Sequence, residues 1–274
     1  MRADRKNVKD FQSAVWDYYE KSGRHDLPWR TTDDPYKILV SEVMLQQTQV
    51  ERVAGYYARF VNAYPTPKKL AGAALSDVLR MWQGLGYNRR AKMLHEAAKQ
   101  AVGQYKGKLP ETVEGLESLS GVGPYTARAV AAFARNEDVV FVETNIRTAV
   151  IHHFFGSRKT VHDKDIMAVL EQALPKGRAR EWYAALMDYG SHLKRSGVKL
   201  NHRAASYAKQ PVFDGSYRQA RGAILRALLA GPAKGDALVG LFGAARRAQL
   251  RSALSVLVKE GMVELRRGSF RLPG

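Results

Sequence analysis

The sequence predicts an all-α fold that carries a small C-terminal module of helices and a β-hairpin. Three observations predict it. Apolar residues recur at three- and four-residue spacing through most of the first 193 positions. Alternating strand patterns are almost absent there. Prolines and glycine pairs cut the pattern into short segments with tight connections.

Taken in order, residues 8–19 form the first stripe, with Phe11, Val15, Trp16 and Tyr19 on one helical face. Leu27-Pro28-Trp29 ends it, and Pro35 opens a second helix through Ile38, Leu39, Val43 and Met44 to about Thr48. Further helices are expected over 49–63, 75–83, 89–105, 112–118, 124–135, 145–155, 163–174 and 179–193, with Pro65, Pro67 and Pro110 as punctuation. Residues 194–210, KRSGVKLNHRAASYAKQ, read as loop and linker. In the tail, helices are expected over 216–229, 235–241 and 246–260. Short strands follow at 262–265 and 269–272, joined by a turn through Arg266, Arg267 and Gly268. That order resembles a winged helix-turn-helix module, with 246–260 in the recognition-helix place. Such modules bind DNA or protein, and Arg246, Arg247, Arg251, Arg266 and Arg267 favour DNA.

At 274 residues and 45 % hydrophobic, the chain has enough material for two or three domains and is not globally disordered. It contains no cysteine, which excludes disulfides, thiolate zinc sites and iron–sulfur clusters. No apolar run is long enough to span a bilayer, and the first residues lack the apolar stretch of a signal peptide. The net charge of +18 favours a polyanionic partner, and it is lopsided: 25 basic and 20 acidic residues up to Pro175, but 19 and 6 beyond it. No basic amphipathic helix with bulky aromatics occurs, so nucleic acid is favoured over membrane. Of the seven histidines, His152 and His153 are adjacent and would diverge on a helix, while His162, His192 and His202 are isolated. No catalytic metal is expected.

Four stretches carry chemistry. VFVETNIRTAV (140–150) delivers Glu143 just before a helix that Thr144 or Asn145 would cap. The glutamate is either a first-turn acid that complements the helix dipole or a catalytic group. LSGVGPYTARAV (119–130) places Gly121 and Gly123 in a tight turn with Pro124 at the first helical position. Exposed N–H groups there would form a phosphate-binding nest. SEVMLQQTQV (41–50) sets Glu42 in an apolar helix. A carboxyl desolvated there would have a raised pKa and could act as an acid near neutrality; on a solvated face it would not. Gln46 and Gln47 offer paired amides for base edges. WQGLGYNRRAKML (82–94) puts Tyr87 at a glycine-hinged turn, either to stack within a nucleic acid or to fill the core, with Arg89, Arg90 and Lys92 placed for phosphates.

LPWR (27–30), SEVMLQQTQV, GLGY, LSGVGPYTA and the E-T-N-I-R stretch occur in one order over residues 8–193. Jointly they resemble the helix-hairpin-helix DNA glycosylases, endonuclease III-like, and within them the adenine DNA glycosylase branch. The resemblance implies two helical domains around a cleft that takes a flipped-out nucleotide. One is a six-helix barrel with the hairpin (30–140). The other is formed by 1–29 and 141–210, and residues 213–274 make the winged module. It implies that Glu42 protonates adenine, and that Gln46, Gln47 and Tyr87 contact the opposite base or wedge into the stack. The hairpin Gly121-Val122-Gly123, with Tyr125 and Thr126 after it, would bind DNA. Glu143, followed by Asn145, stands where the family carries an aspartate that stabilises the cationic sugar. Relatives that also nick the strand carry a lysine where this chain has Tyr125, so a monofunctional reaction is implied.

Two departures bear on substrate and cofactor. The basic stretch 194–210 stands where the family carries the cysteines of an iron–sulfur cluster, and the winged-helix-like module is expected to stand in place of the larger domain that reads 8-oxoguanine. No cofactor is expected; a structural monovalent cation at the hairpin is allowed. The expected reaction is removal of adenine opposite 8-oxoguanine or guanine by a monomer acting on duplex DNA in the cytoplasm, at the nucleoid. A thymine, uracil or other modified-base glycosylase is the enzymatic alternative, and a non-catalytic DNA-binding protein the other.

Overall fold

The computed structural model describes residues 4–274, and these are mostly helical. By their internal contacts they group into two compact units. One comprises residues up to Glu42, Pro110–Ser118 and Val122–Lys209. The other comprises Val43–Leu109, Leu119–Gly121 and Gln210–Gly274. No helix among the described residues is long and apolar enough to cross a membrane.

In the first unit, α1 (Arg5–Ser22) is capped by Asp4 and buries Val8, Phe11, Val15 and Tyr19, the stripe read from the sequence. The aromatic core forms where Phe11 meets Trp182 and Phe154 edge-on and Trp16 tilts against Trp182. Helix α2 (Pro35–Leu45) starts on Pro35, with the Asp34 carboxylate accepting from the Tyr36 N–H at 2.9 Å. Tyr36 through Met44 are buried except for half-buried Lys37, so the helix is enclosed nearly all round.

The second unit holds α3 (Val50–Ala63), α4 (Pro67–Ala71), α5 (Leu75–Trp82) and α6 (Arg89–Gln104). Sequence periodicity missed α4, because the prolines taken as breakers include one at the first helical position. There Pro67 follows the Thr66 cap.

The hairpin runs from α7 (Val113–Glu117) to α8 (Pro124–Arg135). Gly121 takes φ +75°, a conformation that suits glycine. Asn136, left-handed at φ 55°, closes α8. An irregular run to Glu143 leads into α9 (Thr144–Phe154), followed by α10 (Asp163–Ala173) and α11 (Ala179–Arg195) in the first unit. The stretch expected to be loop from 194 is partly ordered. Lys194 and Arg195 finish α11, Asn201–Arg203 make a 3₁₀ turn, and Val161 forms a parallel bridge opposite Ala204, donating to the Arg203 carbonyl and accepting from the Ala205 N–H, both at 2.8 Å.

The C-terminal module packs into the second unit. It comprises α12 (Tyr217–Ala230), α13 (Gly235–Val239), α14 (Arg247–Lys259) and the hairpin β1 (Glu264–Arg266) and β2 (Ser269–Arg271). Arg266 pairs with Ser269, leaving Arg267 and Gly268 as a two-residue turn with φ 50° and 71°. Ala233 bridges to Phe270, tying the loop before α13 to the hairpin. The Ser76 N–H donates to the Pro273 carbonyl, and the Arg80 guanidinium to the Leu229 carbonyl.

Candidate active site and DNA-reading residues

Glu42 lies on the enclosed helix α2 and is only 5 % exposed. Burial, reinforced by the charge of Glu143, raises its carboxyl from 4.5 to about 7; a hydrogen bond from Tyr125 and the charge of Arg30 oppose the rise. Tyr125 comes from the first turn of α8, and its hydroxyl donates to Glu42 Oε2 at 2.8 Å. The same burial, next to Glu42 and Glu143, holds the phenol well above its usual value, so it stays a donor.

Glu143 is itself the N-cap of α9, in place of the Thr144 or Asn145 expected from propensity. Its Oε1 accepts from the N–H groups of Asn145 (2.6 Å) and Ile146 (2.8 Å), and the Asn145 amide donates to Oε2 at 3.3 Å. Glutamate is an uncommon cap, which is why the sequence pointed one or two residues too late. Burial raises its pKa, while the two capping amides and the charges of Lys194 and Arg147 pull it back. Arg147 is itself held by a bidentate pair with Asp163, both contacts at 2.9 Å.

Two packing features fix this arrangement. Phe141 stacks on Tyr183 with ring centres 3.9 Å apart and meets Tyr125 edge-on at 5.6 Å. One ring thereby steadies both the acid's partner and the segment that ends in Glu143. A Cβ on Gly190 of α11 would fall 2.0 Å from the Asn145 carbonyl oxygen, so α11 and the start of α9 approach as only a glycine permits.

A third carboxylate went unassigned in the sequence. Asp188 on α11 is 2 % exposed and holds two arginines of the N-terminal segment. Arg24 donates from its backbone (2.8 Å) and from Nε (2.7 Å), and Arg30 from Nη1 (2.7 Å) and Nη2 (2.9 Å). Burial alone would raise the Asp188 carboxyl; the hydrogen bonds and charges of Arg30 and Arg24 outweigh it and hold it below its usual range. The signal was present in ALMDYG, an acid on an otherwise apolar helix face, and in the arginine that closes LPWR. A cavity of about 230 Å³ lined by Tyr19, His25, Trp29, Arg30, Phe133 and Arg180 lies in this unit, and neither Glu42 nor Glu143 lines it.

Within the hairpin, Gly121 and Gly123 are exposed, while Val122 and Thr126 are buried. Among the described residues, no cluster of histidine, aspartate or glutamate has the arrangement of a metal site.

The second unit carries the remaining residues singled out. Gln47 and Tyr87 both have left-handed backbones, at φ 56° and 47°. Gln46 is half-buried; Gln47 and Arg89 are exposed. Arg90 corrects the sequence reading: its guanidinium points inward. It donates to the carbonyls of Val43 (2.7 Å), Met44 (2.9 Å), Gln46 (2.6 Å), Leu85 (3.2 Å) and Gly86 (3.1 Å), and sits over Trp82 and Tyr87. Burial lowers its pKa to about 10. It therefore clamps the end of α2 to the glycine turn instead of reaching for a phosphate. Arg246 is likewise engaged, with Gln249, Gln219, the Ser216 carbonyl and the Phe242 ring. Arg251 is exposed on α14, as are Arg266 and Arg267 on the hairpin.

Short helices around a helix-hairpin-helix, with a buried carboxyl beside a helix-capping one, define the class. The chain belongs to the HhH-GPD superfamily of base excision DNA repair proteins, whose profile matches residues 40–176. Within it the chain is a DNA N-glycosylase of the adenine DNA glycosylase branch. It is 38 % identical over 245 residues to the adenine DNA glycosylase of Mycobacterium tuberculosis (strain CDC 1551 / Oshkosh), covering 82 % of this chain and 80 % of that one. It is 38 % identical over 224 residues to that of Mycolicibacterium smegmatis, covering 75 % and 76 %. Among solved structures, a thermostable thymine-DNA glycosylase matches at a TM-score of 0.64 and 27 % identity, over 74 % of this chain and 97 % of that chain. A trapped endonuclease III–DNA covalent intermediate shares the fold at a TM-score of 0.60 and 18 % identity, over 70 % of this chain and 88 % of that one. DNA is the partner of this class. With no cysteine in the chain, its residues do not fit the iron–sulfur cluster that the resemblance brings with it.

Proposed function

We propose that this glycosylase is monofunctional and removes adenine mispaired with 8-oxoguanine or guanine. The observation that carries the reading is Glu42, a carboxyl held at about 7 by burial beside Glu143 and in contact with Tyr125. A carboxylic acid that still holds its proton near neutrality can give it to a ring nitrogen of adenine, turning the base into a better leaving group. The C1′–N9 bond then breaks with its electron pair going to the base. The sugar left behind is cationic, and the Glu143 carboxylate stabilises it and orients the water that adds to C1′, the water's surplus proton returning to the Glu42 carboxylate. An abasic site remains. Tyr125 stands where a strand-nicking relative has its lysine nucleophile, and a phenol has no amine with which to form a Schiff base.

On this reading Gln46, Gln47 and Tyr87 meet the base opposite, and the hairpin at Gly121–Gly123 holds phosphate. The enzyme acts as a monomer in the cytoplasm, at the nucleoid, without a cofactor. Support for adenine comes from the relatives' names; the thymine-DNA glycosylase among the structural matches keeps thymine opposite guanine as a second substrate to examine.

The test is single-turnover cleavage of labelled duplexes carrying adenine opposite 8-oxoguanine or guanine, and thymine opposite guanine, with and without hot alkali. Alkali-dependent cleavage of the adenine strand supports the proposal. Cleavage without alkali contradicts the monofunctional step, and cleavage confined to thymine contradicts adenine as substrate.

A further inference from the structure

Around Tyr87, the end of the linker (Gln210) and the start of the C-terminal module supply side chains that the catalytic reading does not use. Gln210 donates from Nε2 to Gln47 Oε1 at 2.8 Å and also contacts the Tyr87 hydroxyl. Arg218, from the first turn of α12, contacts the same hydroxyl through Nη1 and fixes itself by donating from Nη2 to the Pro211 carbonyl at 2.8 Å. Its guanidinium lies over two rings, 5.3 Å from the centre of Tyr87 and 5.8 Å from that of Phe213. Phe213 is 51 % exposed and Val212 79 %, in a chain whose large apolar side chains are mostly buried. The two residues that receive these contacts, Gln47 and Tyr87, are non-glycine residues held at positive φ, a strained backbone of the kind found at ligand-contacting positions.

The group has a recognisable chemistry. It combines aromatic faces, a planar cation stacked on them, and two side-chain amides that can each donate and accept. No carboxylate belongs to it; the neighbouring Asp214 accepts from Gln219. Rings present stacking faces, amides match base edges, and a guanidinium matches both a base and the phosphate beside it.

We infer that Gln210, Phe213 and Arg218 extend the Gln47–Tyr87 cluster into a single nucleobase-reading ledge, and that the C-terminal module thereby sets which base opposite the lesion is accepted. This rests on the proposal that Gln47 and Tyr87 meet that base. The module is then a specificity element and not only a basic anchor. Gln210 discriminates by hydrogen bonding, while Arg218 and Phe213 supply stacking.

The test is made at equilibrium, so that it does not need catalysis. The full chain and its Gln210→Ala, Phe213→Leu and Arg218→Lys variants are titrated by fluorescence anisotropy against duplexes with a stable abasic analogue opposite 8-oxoguanine, guanine, cytosine or thymine. The expected result is that Q210A reduces the ratio of affinities between the preferred and least preferred opposite base by about fivefold or more, as loss of a base-directed hydrogen bond would. R218K should reduce it as well, because lysine keeps the charge but loses the planar face that stacks on the base. Affinity for an undamaged duplex should change by about twofold or less for Q210A, a neutral substitution that removes no phosphate contact. Thermal melts establish that the variants fold, since Gln210 and Phe213 are exposed. Equal weakening against all four opposite bases overturns the inference, leaving Arg218 a plain phosphate contact. Tighter binding by the variants also overturns it, because it means that these side chains block the ledge. Because binding to abasic duplexes is read independently of adenine release, failure of the adenine proposal leaves this measurement interpretable.

Discussion

Replacing Glu42 by glutamine should destroy cleavage and at the same time make the protein more stable in alkali. Burial places the carboxyl at about 7 in the folded chain, against 4.5 for an unperturbed one. A folded-state pKa above the unfolded value means that the native state binds the proton more tightly. The stability tied to that proton is fully present below about 4.5 and is lost as pH rises through about 7. A gap of about 2.5 at about 1.4 kcal/mol per pKa unit amounts to about 3 kcal/mol between pH 4.5 and pH 8. Glutamine does not titrate, so Glu42→Gln escapes that loss while its carbonyl still accepts from Tyr125. The assay is urea unfolding of both proteins at several pH values, paired with single-turnover cleavage at pH 7. The stability difference between variant and parent should grow in the variant's favour by about 2–3 kcal/mol from pH 5 to pH 8. A difference independent of pH, or cleavage at the parent rate, would refute the assignment of Glu42 as a buried, proton-holding acid.

Further outcomes follow from the same geometry. Tyr125→Phe removes the hydrogen bond that lowers the Glu42 pKa, so the alkaline limb of the pH–rate profile should move to higher pH; a profile that moves down contradicts the bond's role. Asp188→Asn should cost about 3 kcal/mol in unfolding free energy, because Arg24 and Arg30 lose their carboxylate. The parent's contribution from Asp188, whose pKa is depressed, should be present at neutral pH and disappear as acid titrates it, which melts from pH 7 downward will show. Arg90→Met should lower stability by about 2 kcal/mol or more by orphaning the carbonyls it bridges, as read by denaturant titration. Gly190→Ala must push the start of α9 away, and a catalytic carboxylate displaced by such a clash should lose about tenfold or more in single-turnover rate while duplex affinity, read by anisotropy, is kept.

Much of this architecture could be read in the sequence because it is written in local chemistry. The start of α8 was legible because Pro124 marks the first helical position by backbone preference alone. The hairpin glycines and the Arg267-Gly268 turn are likewise local. Glu42 was legible as an acid in an apolar helix, but whether it faced water required the packing around α2. Arg90 and Arg246 were misread for one reason. A long cation on a helix looks the same in sequence whether it reaches out or turns back onto carbonyls, and only the tertiary contacts decide. Asp188 and the Gln210–Arg218 cluster depend on partners more than a hundred positions away in the chain, a relation that no periodicity encodes.

The way Glu143 caps its own helix bears on how this position can vary. Two amides of α9 dictate where Oε1 must lie, so the oxygen is referenced to the helix axis and not to the length of its own side chain. An aspartate meeting the same two amides would need its Cα closer to the helix start, so the choice between the two acids bears on the irregular run that precedes α9. A cap of this kind makes the location of a charge heritable through the backbone, and it frees the residue that bears the charge to drift.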